Sequence, residues 1–237
     1  MLFEVIVGEP LQLAESLASQ FVEDGLRALL ARDTFAVALS GGSVATTFYP
    51  ALARTGFDWS RTHLFWADER AVPPDDPESN YGVARRLWLE PAGVPVDRVH
   101  RMPSDVADLE RAAADYSDAL VGILGTPPAL DLALLGVGPD GHVASLFPGH
   151  ALLREERRWV AAVTDAPKAP PRRLTLTLPT LAGAARVLFA AMGQAKAQVV
   201  REALEDADSQ LPVALVARRA RQVVFLLDPE AASALRR

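Results

Sequence analysis

Four stretches of the chain bring glycines and polar residues together at spacings that serve chemistry. In the first, Ser40-Gly41-Gly42-Ser43, an apolar run (TFAVAL) ends and a helical pattern begins at once. Glycines permit a tight turn and let backbone N–H groups approach a ligand at the positive end of the following helix, an arrangement that holds phosphate. A plain strand-to-helix turn with Ser43 as N-cap fits these residues equally well. No Gly-Lys-Ser/Thr follows, so the stretch is not a P-loop.

The second stretch is Asp68-Glu69-Arg70, directly after the apolar HLFWA. Charged triplets are by default solvated loops, but the end of a buried strand is a functional position. There Arg70 can bind an anion or a developing oxyanion and Asp68 can hold a sugar hydroxyl.

The third, LLGVGPDGHVASLFPGH, contains Gly136, Gly138 and Gly141 and so formally satisfies G-x-G-x-x-G. A dinucleotide site is rejected because Pro139 interrupts the turn, no long crossover helix follows, and no ribose-binding acid is evident. The glycines instead present His142 beyond a strand end, with Asp140 placed to orient its ring. An imidazole there can take and return a proton near neutrality. His63, His100 and His150 fit structural places at a strand entry, beside Arg101 and at a loop cap. The histidines lack metal-ligand spacing, so no catalytic metal is expected.

The fourth group joins Arg172 and Arg173, before LTLTLP, to Gly193-Gln194-Ala195-Lys196. Of the 24 basic residues 22 are arginine, leaving only Lys168 and Lys196 as lysines. Lys196 falls in the first turn of a helix, where a cation is unfavourable unless an anion sits beside it. Lys168 lies in the proline-rich loop DAPKAPPRR.

These residues need a scaffold that gathers strand ends. Apolar runs and amphipathic stretches alternate: a strand near Phe3 to Val7, a helix from Leu13 to Leu30, a strand from Phe35 to Leu39, a helix from Val44 to Arg54, and a strand from His63 to Ala67. A loop DERAVPPDDPES then precedes a helix near Asn80 capped by Ser79. A helical stripe from Leu109 to Ile123, the buried strand DLALLGVG, and the runs RRLTLTLP and ARVLFAAMG follow. A helix from Gln194 to Asp206 and terminal strands PVALVA and QVVFLLD complete the pattern. Such alternation predicts an α/β fold with a mostly parallel sheet covered on both sides, as one domain spanning residues 1–237.

A net charge of −6 and the lack of a basic tract argue against nucleic acid or an anionic membrane as partner. No segment approaches about 20 consecutive apolar residues, and the absence of cysteine rules out disulfides and thiolate metal sites. A cytoplasmic protein with a small anionic ligand is expected.

With LSGGS, FWADERAVPPDDPESNYG, LLGVGPDGHVASLFPG, RRLTLTLPTL and GQAKAQVV in that order, the chain resembles the 6-phosphogluconolactonases of the glucosamine-6-phosphate isomerase/6-phosphogluconolactonase family along nearly its whole length. The resemblance implies a three-layer αβα sandwich with a Rossmann-like sheet, shared with glucosamine-6-phosphate deaminases, ribose-5-phosphate isomerases and CoA-transferases. It implies hydrolysis of 6-phospho-D-glucono-1,5-lactone in the pentose phosphate pathway without a cofactor; a monomer is expected. It makes His142 the general base, Arg70 a substrate contact, and Ser40, Gly41, Gly42, Ser43, Arg173 and Lys196 the surroundings of the phosphate. Val44-Ala45 stands where many relatives have Thr-Pro, which leaves a threonine hydroxyl contact absent or shifted to Thr46.

Two rival functions frame the expectation. An isomerase or deaminase on the same fold needs a carboxylate to move a proton between C1 and C2, for which Asp68 is available, but the deaminases carry Phe-Asn-Glu-Pro where this chain has SLFPG. A non-catalytic sugar-phosphate sensor would have no use for Asp140, His142 and Arg70 together. Ser145 lacks the Gly-x-Ser-x-Gly frame of a nucleophile elbow and is given no catalytic role.

Overall fold

A computed structural model describes residues 3–236. The chain opens with β1 (Glu4–Val7), α1 (Pro10–Arg32), β2 (Phe35–Leu39), α2 (Gly42–Leu52), β3 (Thr62–Trp66) and β4 (Asp68–Arg70). It continues through α3 (Asn80–Ala84), β5 (Val99–His100), α4 (Leu109–Leu124), β6 (Leu132–Gly136), β7 (Val160–Val163) and β8 (Arg173–Leu176). The last elements are α5 (Leu178–Ala182), β9 (Arg186–Ala191), α6 (Ala197–Glu205), α7 (Pro212–Arg219) and β10 (Val223–Leu227).

Seven strands form a parallel sheet in the order β1-β10-β9-β6-β2-β3-β5. Strands β2 and β10 are buried at every residue, as continuous apolar runs must be when helices cover both faces. Helix α1 begins with a capping box between Glu9 and Gln12 and Pro10 in its first turn, and ends at Asp33 in the left-handed conformation. Its Leu13, Leu17 and Phe21 face the core, where Phe21 meets the edges of Phe35 and Trp88. Among the described residues no helix is long and apolar enough to cross a membrane.

The structure departs from the sequence-based expectation at two segments. PVALVA is the helix α7, not a strand. Its buried Pro212, Val213, Val216 and Ala217 repeat at helical spacing, and Pro212 in the first turn is a helix-start signal. Asp68-Glu69-Arg70 is not loop but strand β4, in a separate antiparallel sheet of order β4-β8-β7.

Ala67 makes that second sheet possible. Its N–H donates to the Leu39 carbonyl of the large sheet at 2.7 Å, and its carbonyl accepts from Leu176 N–H of the small one, also at 2.7 Å. The chain bends here from one sheet into the other. The alternation of β4 then sends Asp68 and Arg70 to one face and Glu69 to the opposite one. Glu69 is buried and accepts hydrogen bonds from the N–H groups of Arg70, Asn80 and Tyr81 and from Ser79 Oγ. Burial pushes its carboxyl upward while those backbone donors pull the other way. Glu69 therefore ties the start of α3 to β4.

Candidate active site

A cleft of about 210 Å³ opens at the carboxyl ends of the large sheet, lined by Ser40, Gly41, Gly42, Ser43, Asp68, Arg70, Asn80, His142, Arg173 and Lys196 together with Gly136–Pro139 and Ala144. Neighbouring strands β2 and β6 supply the glycine turn and the His142 loop. From β2 the chain proceeds to β3 on one side, while β6 lies on the other, so the cleft occupies the point where strand order reverses.

The glycine turn is built for close approach. Gly42 has φ +61°, and a Cβ at Gly41 would lie 1.8 Å from Asn80 Oδ1. The first turn of α2 leaves backbone N–H groups without intrahelical partners at this end of the cleft. Ser40 Oγ is buried with no partner among the described residues, while the Ser40 carbonyl accepts from Tyr49 Oη. Thr46 is exposed and its hydroxyl turns back to the Ser43 carbonyl at 3.3 Å, away from the cleft lining.

His142 stands on the opposite wall. Asp140 does not line the cleft; its Oδ1 lies 2.5 Å from His142 Nδ1. Asp140 accepts the Nδ1 proton and leaves Nε2 as the basic nitrogen. A Cβ at Gly138 would lie 2.0 Å from Nδ1, and Gly141 has φ +80°, so both glycines are required by the placement of this ring. Burial lowers the pKa of His142, and the Asp140 hydrogen bond and charge oppose that shift. Asp140 is raised by burial, but the hydrogen bonds from His142 and Lys168 outweigh it and its carboxyl stays below the usual range.

Asp68 sits between the walls with both oxygens engaged. Oδ2 accepts from Ser145 Oγ at 2.6 Å, Oδ1 accepts from Asn80 Nδ2 at 3.2 Å, and Arg173 Nη1 lies 3.9 Å from Oδ2. Ser145 is wholly buried, so its hydroxyl serves Asp68 and does not face the cleft.

The cations differ in what they have left to offer. Arg70 donates from Nη1 to the Glu78 carbonyl at 2.6 Å, while its buried Nε has no partner among the described residues. Arg173 is 4% exposed and gives Nε to the Pro170 carbonyl at 2.8 Å and Nη2 to the Lys168 and Ala169 carbonyls at 3.0 and 3.3 Å. Its first duty is to hold the 168–170 loop, with Nη1 remaining toward Asp68. Lys196 closes a short turn of 3₁₀ helix, Gln194–Lys196, through its N–H to the Gly193 carbonyl, and its ammonium group makes no hydrogen bond or ion pair among the described residues. Burial lowers its pKa against the pull of Asp228.

Two residues of the site escaped the sequence reading. Asn80 appeared only as the start of a helix, yet its amide donates to the Asp68 carbonyl at 2.9 Å and its oxygen packs on the glycine turn. Lys168 reaches Asp140 Oδ1 at 3.1 Å and His142 Nδ1 at 3.2 Å. The scarcity of lysine was a usable signal for it, but helix position drew attention to Lys196 alone.

An Asp–His pair with a free imidazole nitrogen, facing a glycine turn across a cleft edged by arginine and lysine, defines a class of α/β enzymes that move protons on a small anionic substrate. Comparison with known proteins narrows the class. Residues 8–225 match the family described as glucosamine-6-phosphate isomerases/6-phosphogluconolactonase, and the chain belongs to that family. It is 41% identical to the 6-phosphogluconolactonase of Rattus norvegicus, over 97% of this chain and 92% of the relative. It is 40% identical to that of Streptomyces coelicolor, over 95% and 91%. Among solved structures, 6-phosphogluconolactonase from Trypanosoma cruzi superposes with a TM-score of 0.89 at 31% identity, covering 99% of this chain and 97% of that one.

Proposed function

We propose that the protein hydrolyses 6-phospho-D-glucono-1,5-lactone to 6-phospho-D-gluconate in the oxidative pentose phosphate pathway, as a cytoplasmic monomer. The observation that carries the reading is that the Asp140–His142 pair opens onto the same cleft as the Ser40–Ser43 turn and the unpartnered Lys196. The names of its relatives point to the same reaction.

In this reading the 6-phosphate sits at the glycine turn, where Ser40, Gly41, Gly42, Ser43 and Lys196 neutralise it, with Arg173 Nη1 nearby. The lactone carbonyl then lies before His142, whose Nε2 removes a proton from water as the oxygen attacks C1. The negative charge that develops on the carbonyl oxygen is met by Arg70 through its unused donors. The tetrahedral intermediate collapses with cleavage of the C1–ring oxygen bond, and the imidazolium returns its proton to the departing oxygen. Asp140 keeps the tautomer and steadies the imidazolium. Asp68 orders the wall and accepts a sugar hydroxyl at a remaining lone pair.

An isomerase needs a carboxylate free to carry a proton between adjacent carbons, and both oxygens of Asp68 are already bonded. The test is turnover of freshly generated 6-phosphogluconolactone, coupled through 6-phosphogluconate dehydrogenase, by wild type and His142→Ala. Acceleration by wild type and a fall of about 10²- to 10⁴-fold in the variant are expected. Absence of acceleration by folded wild type rejects the reaction, and an unimpaired variant rejects His142 as base. Gel filtration with light scattering checks the monomer.

A further inference from the structure

Lys168 is not needed for the steps just described, yet it lies at their centre. Its ammonium group shares Asp140 Oδ1 with the imidazole, at 3.1 Å, and stands 3.2 Å from His142 Nδ1. The loop that delivers it is fixed by the three Arg173 bonds to the carbonyls of residues 168–170. The buried guanidinium thus fixes the backbone from which Lys168 extends, and Asp140 holds the ammonium end.

We infer that Lys168 is a positioning residue: it divides the charge of Asp140 with His142 and so keeps His142 unprotonated, and able to act as base, while an anionic substrate fills the cleft. The inference rests on the lactone-hydrolysis reading for its kinetic part only.

The physical problem it answers is electrostatic. An Asp–His pair alone favours imidazolium, because the carboxylate stabilises the positive ring. A bound phosphate monoester adds a charge of about −1.5 to −2 to the same cleft, pushing the imidazole further toward protonation. A protonated His142 cannot accept the proton of the attacking water. The groups facing His142 are Asp140 on its own loop, Asp68 on β4, Lys168 on the loop before β8, and the more distant Arg70, Arg173 and Lys196 of the cleft wall. Burial disfavours the imidazolium, Asp140 and Asp68 favour it, and Lys168 acts with burial against them from 3.2 Å. Asp140 remains ionised and keeps the ring oriented, but its hold on the imidazolium is weakened.

The decisive comparison is among wild type, Lys168→Gln and Lys168→Arg. Glutamine keeps a donor without the charge, and arginine keeps the charge. Proton NMR of the imidazole Cε1–H gives the titration of His142 directly, since the chain has only four histidines and His142→Ala assigns the signal. It is recorded without ligand and with 6-phosphogluconate or inorganic phosphate as the anionic probe. In Lys168→Gln the midpoint should rise by roughly one pH unit, and by more with the anion bound. The acid limb of kcat should move up likewise, and further than that of kcat/KM, which reports the free enzyme. Lys168→Arg should restore both toward wild type.

A Lys168→Gln protein whose NMR midpoint matches wild type, with or without the anion, overturns the inference even if its activity is low. So does a Lys168→Arg variant that titrates like the glutamine variant. Should the lactone not be turned over at all, the NMR midpoints still decide the role of Lys168, so failure of the reaction and failure of the inference are separately visible.

Discussion

Gly138 faces the imidazole of His142 so closely that a Cβ on residue 138 would stand 2.0 Å from Nδ1 and 2.7 Å from Asp140 Oδ1. Neither atom has a free direction of retreat, since the two are bonded to each other. Gly138→Ala should therefore displace the ring and reduce kcat/KM by about 10²- to 10⁴-fold, as loss of a general base does. Circular dichroism should show the fold retained. Wild-type kinetics in this variant would mean that the position of His142 does not matter.

Arg173 serves by geometry as much as by charge, because two of its nitrogens reach three carbonyls at once. Lysine keeps the charge but has no planar fork. Arg173→Lys should release the loop around Lys168, lower kcat/KM by at least about tenfold, and open residues 164–172 to limited proteolysis. A protease-resistant Arg173→Lys protein with normal kinetics would contradict the clamp.

Ser145 is a conspicuous hydroxyl in the most distinctive loop, but it is wholly buried and bonded to Asp68. Ser145→Ala removes one donor from a buried carboxylate and should cost about 1–3 kcal/mol of stability. Its kcat should stay within about tenfold of wild type, far from the loss that follows removal of a covalent nucleophile. Urea unfolding and steady-state kinetics check the two halves of this expectation.

His63 and His100 form a separate pH-sensitive pair. Arg98 Nη1 donates to His63 Nε2 at 3.2 Å, so His63 Nδ1 carries the proton directed to His100 Nε2 at 2.9 Å. Burial, the neighbouring His63 and Arg98 lower the pKa of His100 to about 4. Burial and Arg98 lower that of His63 as well. In the unfolded chain both titrate near about 6.5. Between those limits the unfolded state binds more protons, so stability rises with pH and is lost as pH falls from about 6.5 toward 4. The urea midpoint of His100→Phe should depend less steeply on pH across this window than that of wild type.

Much of this architecture is legible in the chain. β2 and β10 are apolar at every position, and such runs have no place except the middle of a covered sheet. Ser79 caps α3 through its bond to Gly82 N–H, as its position before Asn80 foretold. The pairing of Asp140 with His142 follows from two residues of separation between glycine turns. What stayed hidden depends on long-range partners. β4 is a strand only because β8, more than a hundred residues later, lies beside it; a charged triplet carries no local sign of that. Lys168 meets Asp140 across 28 residues of chain, through a loop shaped by Arg173. α7 concealed its period because valine and alanine alternate as readily in a strand as along a helix.

The bend at Ala67 has a consequence for how the molecule loosens. One residue bonds to both sheets, and the cleft draws the Ser40–Ser43 turn and His142 from the large sheet's strand ends but Arg70 and Arg173 from the small sheet, with Lys168 reaching the Asp140–His142 pair from the loop before β8. Breathing that parts the small sheet from the large one carries all three cations away in a single event. The Ala67 amide should then exchange with deuterium only through that same opening, making its exchange rate a direct gauge of how often the cleft is dismantled while the rest of the protein stays folded.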